Sequence, residues 1–294
     1  LQALAVFLLS WAIAILLVIL FVTGGTYPPE AHVWAYLFTT ALLVLGASLL
    51  AFHWGLSSRG AANGSGSAGL LNAWFFAAAR GMVFTAASAV GLLILAAGSN
   101  APAELAGAAA TVMAVESFVF AGVAAGAAWW FPGRAGSVLA WSVGAFLLVG
   151  NIAAVTALLP AVRSYEAARV VINVQRDEFG RTVSYECSPE FAGIVEVVHT
   201  ERVVWLAASH PLAVFALLAG EASPGTAVLG WLPAEFEAAA AGSRVPCTES
   251  ATMEENEVQV PLAIIGVAIQ FATAGGLLLA GRAASRRRAW LLSP

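Results

Sequence analysis

Long apolar runs alternate with short polar joints along most of this chain. Six stretches stand out: Leu1–Val22, Val33–Phe52, Gly81–Ala97, Ala106–Phe131, Val138–Ala161 and Val260–Gly281. Each is close to the roughly 20 residues that a helix needs to cross a bilayer's hydrocarbon core. They are too long and too evenly apolar for the alternating strands of about 9–11 residues that build a membrane barrel. The joints between them, "TGGTYPPEAH", "HWGLSSRGAANGSGSAG", "GSNAPAEL" and "PGRAGS", are rich in turn-forming residues. The pattern predicts an α-helical integral membrane protein with six transmembrane helices.

The pattern changes after the fifth run. Residues 163–258 hold the longest polar region and most of the chain's charge, which divides it into a five-helix region (1–162), a cap (163–258), and a sixth helix with a basic tail (259–294). Within the cap, "RVVINVQRDEFGRTVSYEC" (Arg169–Cys187) alternates apolar and polar residues around a turn at Asp177–Gly180, which predicts a β-hairpin. The cap is therefore expected to be a small α/β unit.

"ERVVWLAASHPLAVFALLAGE" (Glu201–Glu221) does not fit either pattern. Val203–Gly220 is uncharged and only marginally long enough to span, and Ser209-His210-Pro211 lies near its middle. A proline in a helix removes one backbone bond, here to the Ala207 carbonyl. The reading adopted is a pair of short helices at 203–220, re-entrant or interfacial, broken at Ser209–Pro211. A buried helix of the cap and a full span are the alternatives.

Composition and charge fix class and orientation. The chain has 294 residues, 60% hydrophobic and 10% charged, with a mean hydropathy of +0.85, against about 25% charged in soluble domains. With the N-terminus inside, the inner joints and tail collect seven arginines: Arg59, Arg80, Arg134, Arg282, Arg286, Arg287 and Arg288. The short outer loops hold only Glu30 and Glu104. This arginine bias predicts both termini in the cytoplasm and the cap outside. Residues 163–257 carry fourteen acids and six arginines, a net charge of −8. A seventh crossing at Val203–Gly220 would reverse part of the bias. The chain begins inside an apolar run without a methionine, and a cytoplasmic lead-in is expected before Leu1.

The chemistry on offer is sparse. All thirteen basic residues are arginine, so a phosphate-gripping G-x-x-x-x-G-K-[ST] loop is excluded. Neither C-x-x-C, H-E-x-x-H nor G-x-S-x-G occurs. The chain is therefore expected to be non-catalytic and to hold no cofactor or metal, and nothing in it suggests nucleic-acid binding. His32, His53, His199 and His210 read as solvated or interfacial. Glu116 lies mid-run in "TVMAVESFVFAG", where a charge costs roughly 2.5–3.5 kcal/mol on insertion scales. It is either a carboxylate facing a cavity or coupled to protons, or a carboxyl bonded within the bundle. Asn151 reads as interhelical glue or a substrate contact. Cys187 and Cys247, the only cysteines, both fall in the cap. In an oxidising compartment they are expected to form a disulfide.

Three stretches resemble type-2 ABC exporter permeases. "TERVVWLAASHPLAVFALLAGEASP" is similar to the family's segment between its fifth and sixth spans, with Arg202, Trp205, Pro211 and Phe215 in matching places and His210 where Asn is usual. "GGLLLAGRAASRRRAWL" resembles the last span running into a basic tail. "SAGLLNAWFFAAARGMVF" (Ser67–Phe84) resembles the short interfacial helix before the third span. The resemblance implies a bacterial cytoplasmic-membrane half-transporter that pairs with a second, identical or related permease copy and docks ATPase subunits holding ATP and Mg. It implies an amphipathic or lipid-like substrate. Leu70–Ala79 becomes a coupling-helix candidate, with Leu70, Trp74, Phe75 and Arg80. The alternative there is one long span, Leu70–Ala97, with Arg80 snorkelling. Glu116, Asn151, His210 and Pro211 become transport-path candidates. A non-transporting membrane subunit whose acidic cap binds a partner remains the second reading.

Overall fold

A computed structural model describes residues 31–58, 67–99, 101–176, 182–222, 227–242, 245–248 and 260–291, with scattered positions before residue 17. The first predicted span, Leu1–Val22, lies outside this set apart from those positions, as does the Asp177–Gly180 turn.

Among the described residues, five helical segments are long and apolar enough to cross a membrane. α1 is Ala31–Ser57, α2 is Ser67–Ser99 and α3 is Ala103–Trp130. The next segment is composite. α4 (Arg134–Ala145) runs into a π-helical turn at Phe146–Gly150, then α5 (Asn151–Leu158) and a 3₁₀ turn to Val162. Two strands follow, β1 (Arg163–Arg176) and β2 (Thr182–Val198). After them come α6 (Val204–Ala208), α7 (Pro211–Ala222), α8 (Ala227–Ala240) and α9 (Leu262–Leu291).

α3 is the axis of the bundle, touching α1, α2, α4, α7 and α9. Its sequence explains why. "AGVAAGAA" puts small residues on every side, so neighbouring backbones can approach closely. A Cβ on Gly126 would lie 2.5 Å from the Leu277 carbonyl carbon of α9, and one on Gly281 of α9 would lie 2.7 Å from Gly126 O. Gly55 of α1 is pressed against Ala121 in the same way. Larger side chains fill the space above and below: Leu43, Leu92, Leu105 and Met113 in one cluster, Phe52 and Phe120 in another.

α2 corrects one expectation. Gly81 does not separate an interfacial helix from a span; Ser67–Ser99 is one 33-residue helix. A Cβ at Gly81 would meet Ser117 Oγ at 2.5 Å, so this glycine serves contact with α3. One continuous helix is the shape that the alternative reading gave this stretch.

The β-hairpin is present and longer than expected. β1 and β2 pair antiparallel from Arg163↔Val198 to Arg176↔Thr182, with irregularities between Ala168 and Asn173 and again between Gln175 and Arg176. Cys187 on β2 is bonded to Cys247, and Arg169 N–H donates to Cys247 O at 3.0 Å. The two contacts pin residues 245–248 onto the ribbon.

Candidate functional site

The broken helix pair inserts into the bundle tip first. α6 ends at Ala208 and α7 begins at Pro211, as the sequence predicted, but the break is held by bonds and not by the proline alone. Ala207 O, expected to be left free, accepts from His210 N–H at 3.0 Å, and Ser209 N–H bonds Leu206 O. Pro211 opens α7, where a missing N–H costs nothing. His210 acts as the helix cap: its Nδ1 accepts from Leu212 N–H at 3.1 Å, taking one of the first-turn donors that no carbonyl reaches.

The other ring nitrogen reaches a different helix. With Nδ1 accepting, the proton is on Nε2, which donates to Leu148 O at 2.7 Å. Nδ1 cannot carry a proton while it accepts from Leu212 N–H, so the ring is neutral. Leu148 O is available because the helix is irregular there. Asn151 N–H bonds Phe146 O across the π turn. Ile152 N–H, which would bond Leu148 O in a regular α-helix, is taken by Asn151 Oδ1 at 2.8 Å. Asn151 Nδ2 donates to Leu147 O at 3.1 Å and to Ser209 Oγ at 3.3 Å.

Ser209 completes the link to α3. Its carbonyl accepts from Gln270 Nε2 at 2.9 Å, and the same nitrogen donates to Glu116 Oε1, also at 2.9 Å. Glu116 is midway along the 28-residue α3, about 20 Å from its start at 1.5 Å per residue. Gly266, one turn before Gln270, makes room for the tip: a Cβ there would lie 2.0 Å from Ala208 O. The structure thus joins Glu116, Asn151 and His210, three sequence-picked residues, through Ser209 and Gln270. Gln270 escaped the sequence reading.

The other candidates lie apart from this network. Leu70 is fully buried. Trp74 donates to Phe118 O at 3.0 Å, so it packs on α3. Phe75 and Arg80 are exposed. His199, expected to be solvated or interfacial, is buried. Its Nε2 lies 2.8 Å from Ser164 Oγ and its Nδ1 2.9 Å from Glu201 Oε1, with Glu166 3.4 Å away. Two carboxylates flank one imidazole where the ribbon meets α6. Thr200 Oγ1 adds a bond to Ala239 O of α8 at 2.7 Å.

A cavity of about 740 Å³ opens beside the pair, between α6, α7, α8 and α9. Val204, Leu217, Leu262 and Ile265 give it apolar walls, and Trp205, Glu201, Glu221 and Glu237 also line it. Among the described residues, no group of His, Cys, Asp or Glu is arranged to hold a metal ion. Compared with family models, curated proteins and solved structures, the chain matches none.

Proposed function

We propose that the chain is the membrane-spanning permease subunit of an ATP-driven exporter, with six spans, cytoplasmic termini and an external cap over residues 163–258. The observation that carries this reading is the α6–α7 pair, a broken element whose tip is fastened by polar bonds halfway along the central helix. Irregular backbone at such depth is tolerated only where protein or a water-filled path surrounds it, and transporters use discontinuous helices to form their paths. In this reading the pair gates the outer end of the path. The adjoining cavity, apolar with carboxylates, suits an amphipathic substrate leaving into the outer leaflet. ATP and Mg are bound by a partner ATPase, and a second permease copy completes the path.

Affinity purification from the native membrane tests the reading. A stoichiometric P-loop ATPase that is stimulated by an amphiphile supports it. A different stable partner with no ATPase favours the second reading, a membrane subunit whose cap docks a partner. One observation speaks for that alternative: Tyr165, Phe191 and Ile194 of the ribbon are 75%, 67% and 70% exposed.

A further inference from the structure

Two acceptors in the central network lack a donor. Glu116 and Gln270 are both fully buried. Gln270 spends its N–H groups on Glu116 Oε1 and Ser209 O, while Glu116 Oε2 and Gln270 Oε1 have no partner. Both orphans belong to side chains already joined by one hydrogen bond. An ionised carboxylate offers only lone pairs, so it would satisfy neither, and among the described residues no basic group is bonded to it. A carboxylic acid carries one O–H donor. With that proton on Oε2, the acid can donate to Gln270 Oε1 while its own Oε1 still accepts from Gln270 Nε2, a two-bond carboxyl–amide pairing. Both orphans are then satisfied, and the second amide N–H still holds Ser209 O.

We infer that Glu116 and Gln270 form a proton-binding site that is loaded when the α6–α7 pair is docked. Loss of the proton sets a carboxylate against the amide oxygen. The amide must then turn, and Ser209 O loses its donor. Because the proton favours the docked state, docking favours the proton equally. The other titratable member of the network, His210, is neutral with both ring nitrogens bonded, so it supplies no compensating charge. The inference stands on this network alone and does not depend on the exporter reading.

The test uses the full chain in lipid nanodiscs near neutral pH. Infrared spectroscopy should show a protonated-carboxyl carbonyl band that shifts in D₂O and vanishes in Glu116→Gln, while Glu235→Gln leaves it unchanged. A band unchanged by Glu116→Gln, or no such band at all, overturns the inference. Docking is read separately, from maleimide labelling of a thiol at Ala213→Cys, a buried α7 position; the native cysteines are bonded to each other. Glu116→Gln keeps a carbonyl acceptor and supplies an N–H where the protonated acid has its O–H, with a second N–H over, so labelling should stay slow. Gln270→Leu should speed it about tenfold or more, the equilibrium effect of one lost buried hydrogen bond. If Glu116→Gln labels as fast as Gln270→Leu, the site requires the carboxylate charge and the proton assignment is wrong.

Discussion

His210 Nε2 donates to Leu148 O at 2.7 Å, joining residues 62 positions apart through a carbonyl released by a π-helical turn. The same ring caps α7 through Nδ1. One neutral imidazole therefore fixes both the break in the helix pair and the pair's seat on the bundle. His210→Ala should cost about 2–3 kcal/mol, since it leaves a buried acceptor and a helix-end donor unpaired. His210→Asn should recover the cap but not the reach to Leu148, and fall between. Thermal unfolding in nanodiscs ranks the three proteins. Equal midpoints would show that neither bond matters to stability.

The helix–tip contact depends on a missing side chain. A Cβ at Gly266 would meet the Ala208 carbonyl at 2.0 Å, and backbone cannot step aside cheaply. Gly266→Ala should therefore destabilise by about 1–3 kcal/mol, as overpacking does. Gly275 of the same helix has nothing within 4 Å of its added Cβ. Gly275→Ala should be neutral, or stabilising by roughly 0.5–1 kcal/mol. Denaturation of the two variants in parallel separates packing from helix propensity. Equal effects would sink the close-approach argument.

How legible this was depends on the kind of signal. The spans of α1, α3 and α9 follow from hydropathy alone, because a long apolar run has few other fates in a chain this poor in charge. The ribbon followed from alternation at Arg169–Cys187, and the helix break from Pro211. The resemblance suggested a short helix at Leu70–Ala79, where the chain runs as one helix, Ser67–Ser99, with Gly81 admitting Ser117 of α3. Gln270 was passed over as one polar residue in an apolar run. Its signal was present: it lies four residues after Gly266, hence on the same helix face, so a polar group and a close approach coincide. The π turn had no local signal, because Asn151 is bonded there to Ser209, 58 residues away.

Orientation and the disulfide can be checked together. The arginine distribution predicts Arg288 inside and Asp177 outside. Single cysteines at those positions, with Cys187 and Cys247 replaced by serine, should label from opposite sides of sealed cells. Labelling of Asp177→Cys only from the cytoplasmic side would invert the topology. In the unaltered protein, non-reducing peptide mapping should recover Cys187 linked to Cys247. Opening that link, with its separation of 60 residues, should cost about 4 kcal/mol in the chain-entropy description.

Pro211 is the residue that made the break visible in the sequence, yet it contributes least to keeping it. Ser209 N–H and His210 N–H already close a tight turn onto Leu206 and Ala207. Gln270, Asn151 and the bond from the His210 ring to Leu148 O hold the tip to its neighbours. Pro211→Ala adds an N–H at the first position of α7, where no intrahelical acceptor is required. It should therefore cost no more than about 1 kcal/mol, mainly by freeing the unfolded chain, and leave labelling of the buried α7 position slow. Asn151→Leu removes the donors to Leu147 O and Ser209 Oγ and the acceptor for Ile152 N–H, and it should loosen the pair far more. If Pro211→Ala instead fused α6 and α7 into one helix, with the tip withdrawn from Glu116, the proline would be the cause of the break and the polar network its consequence.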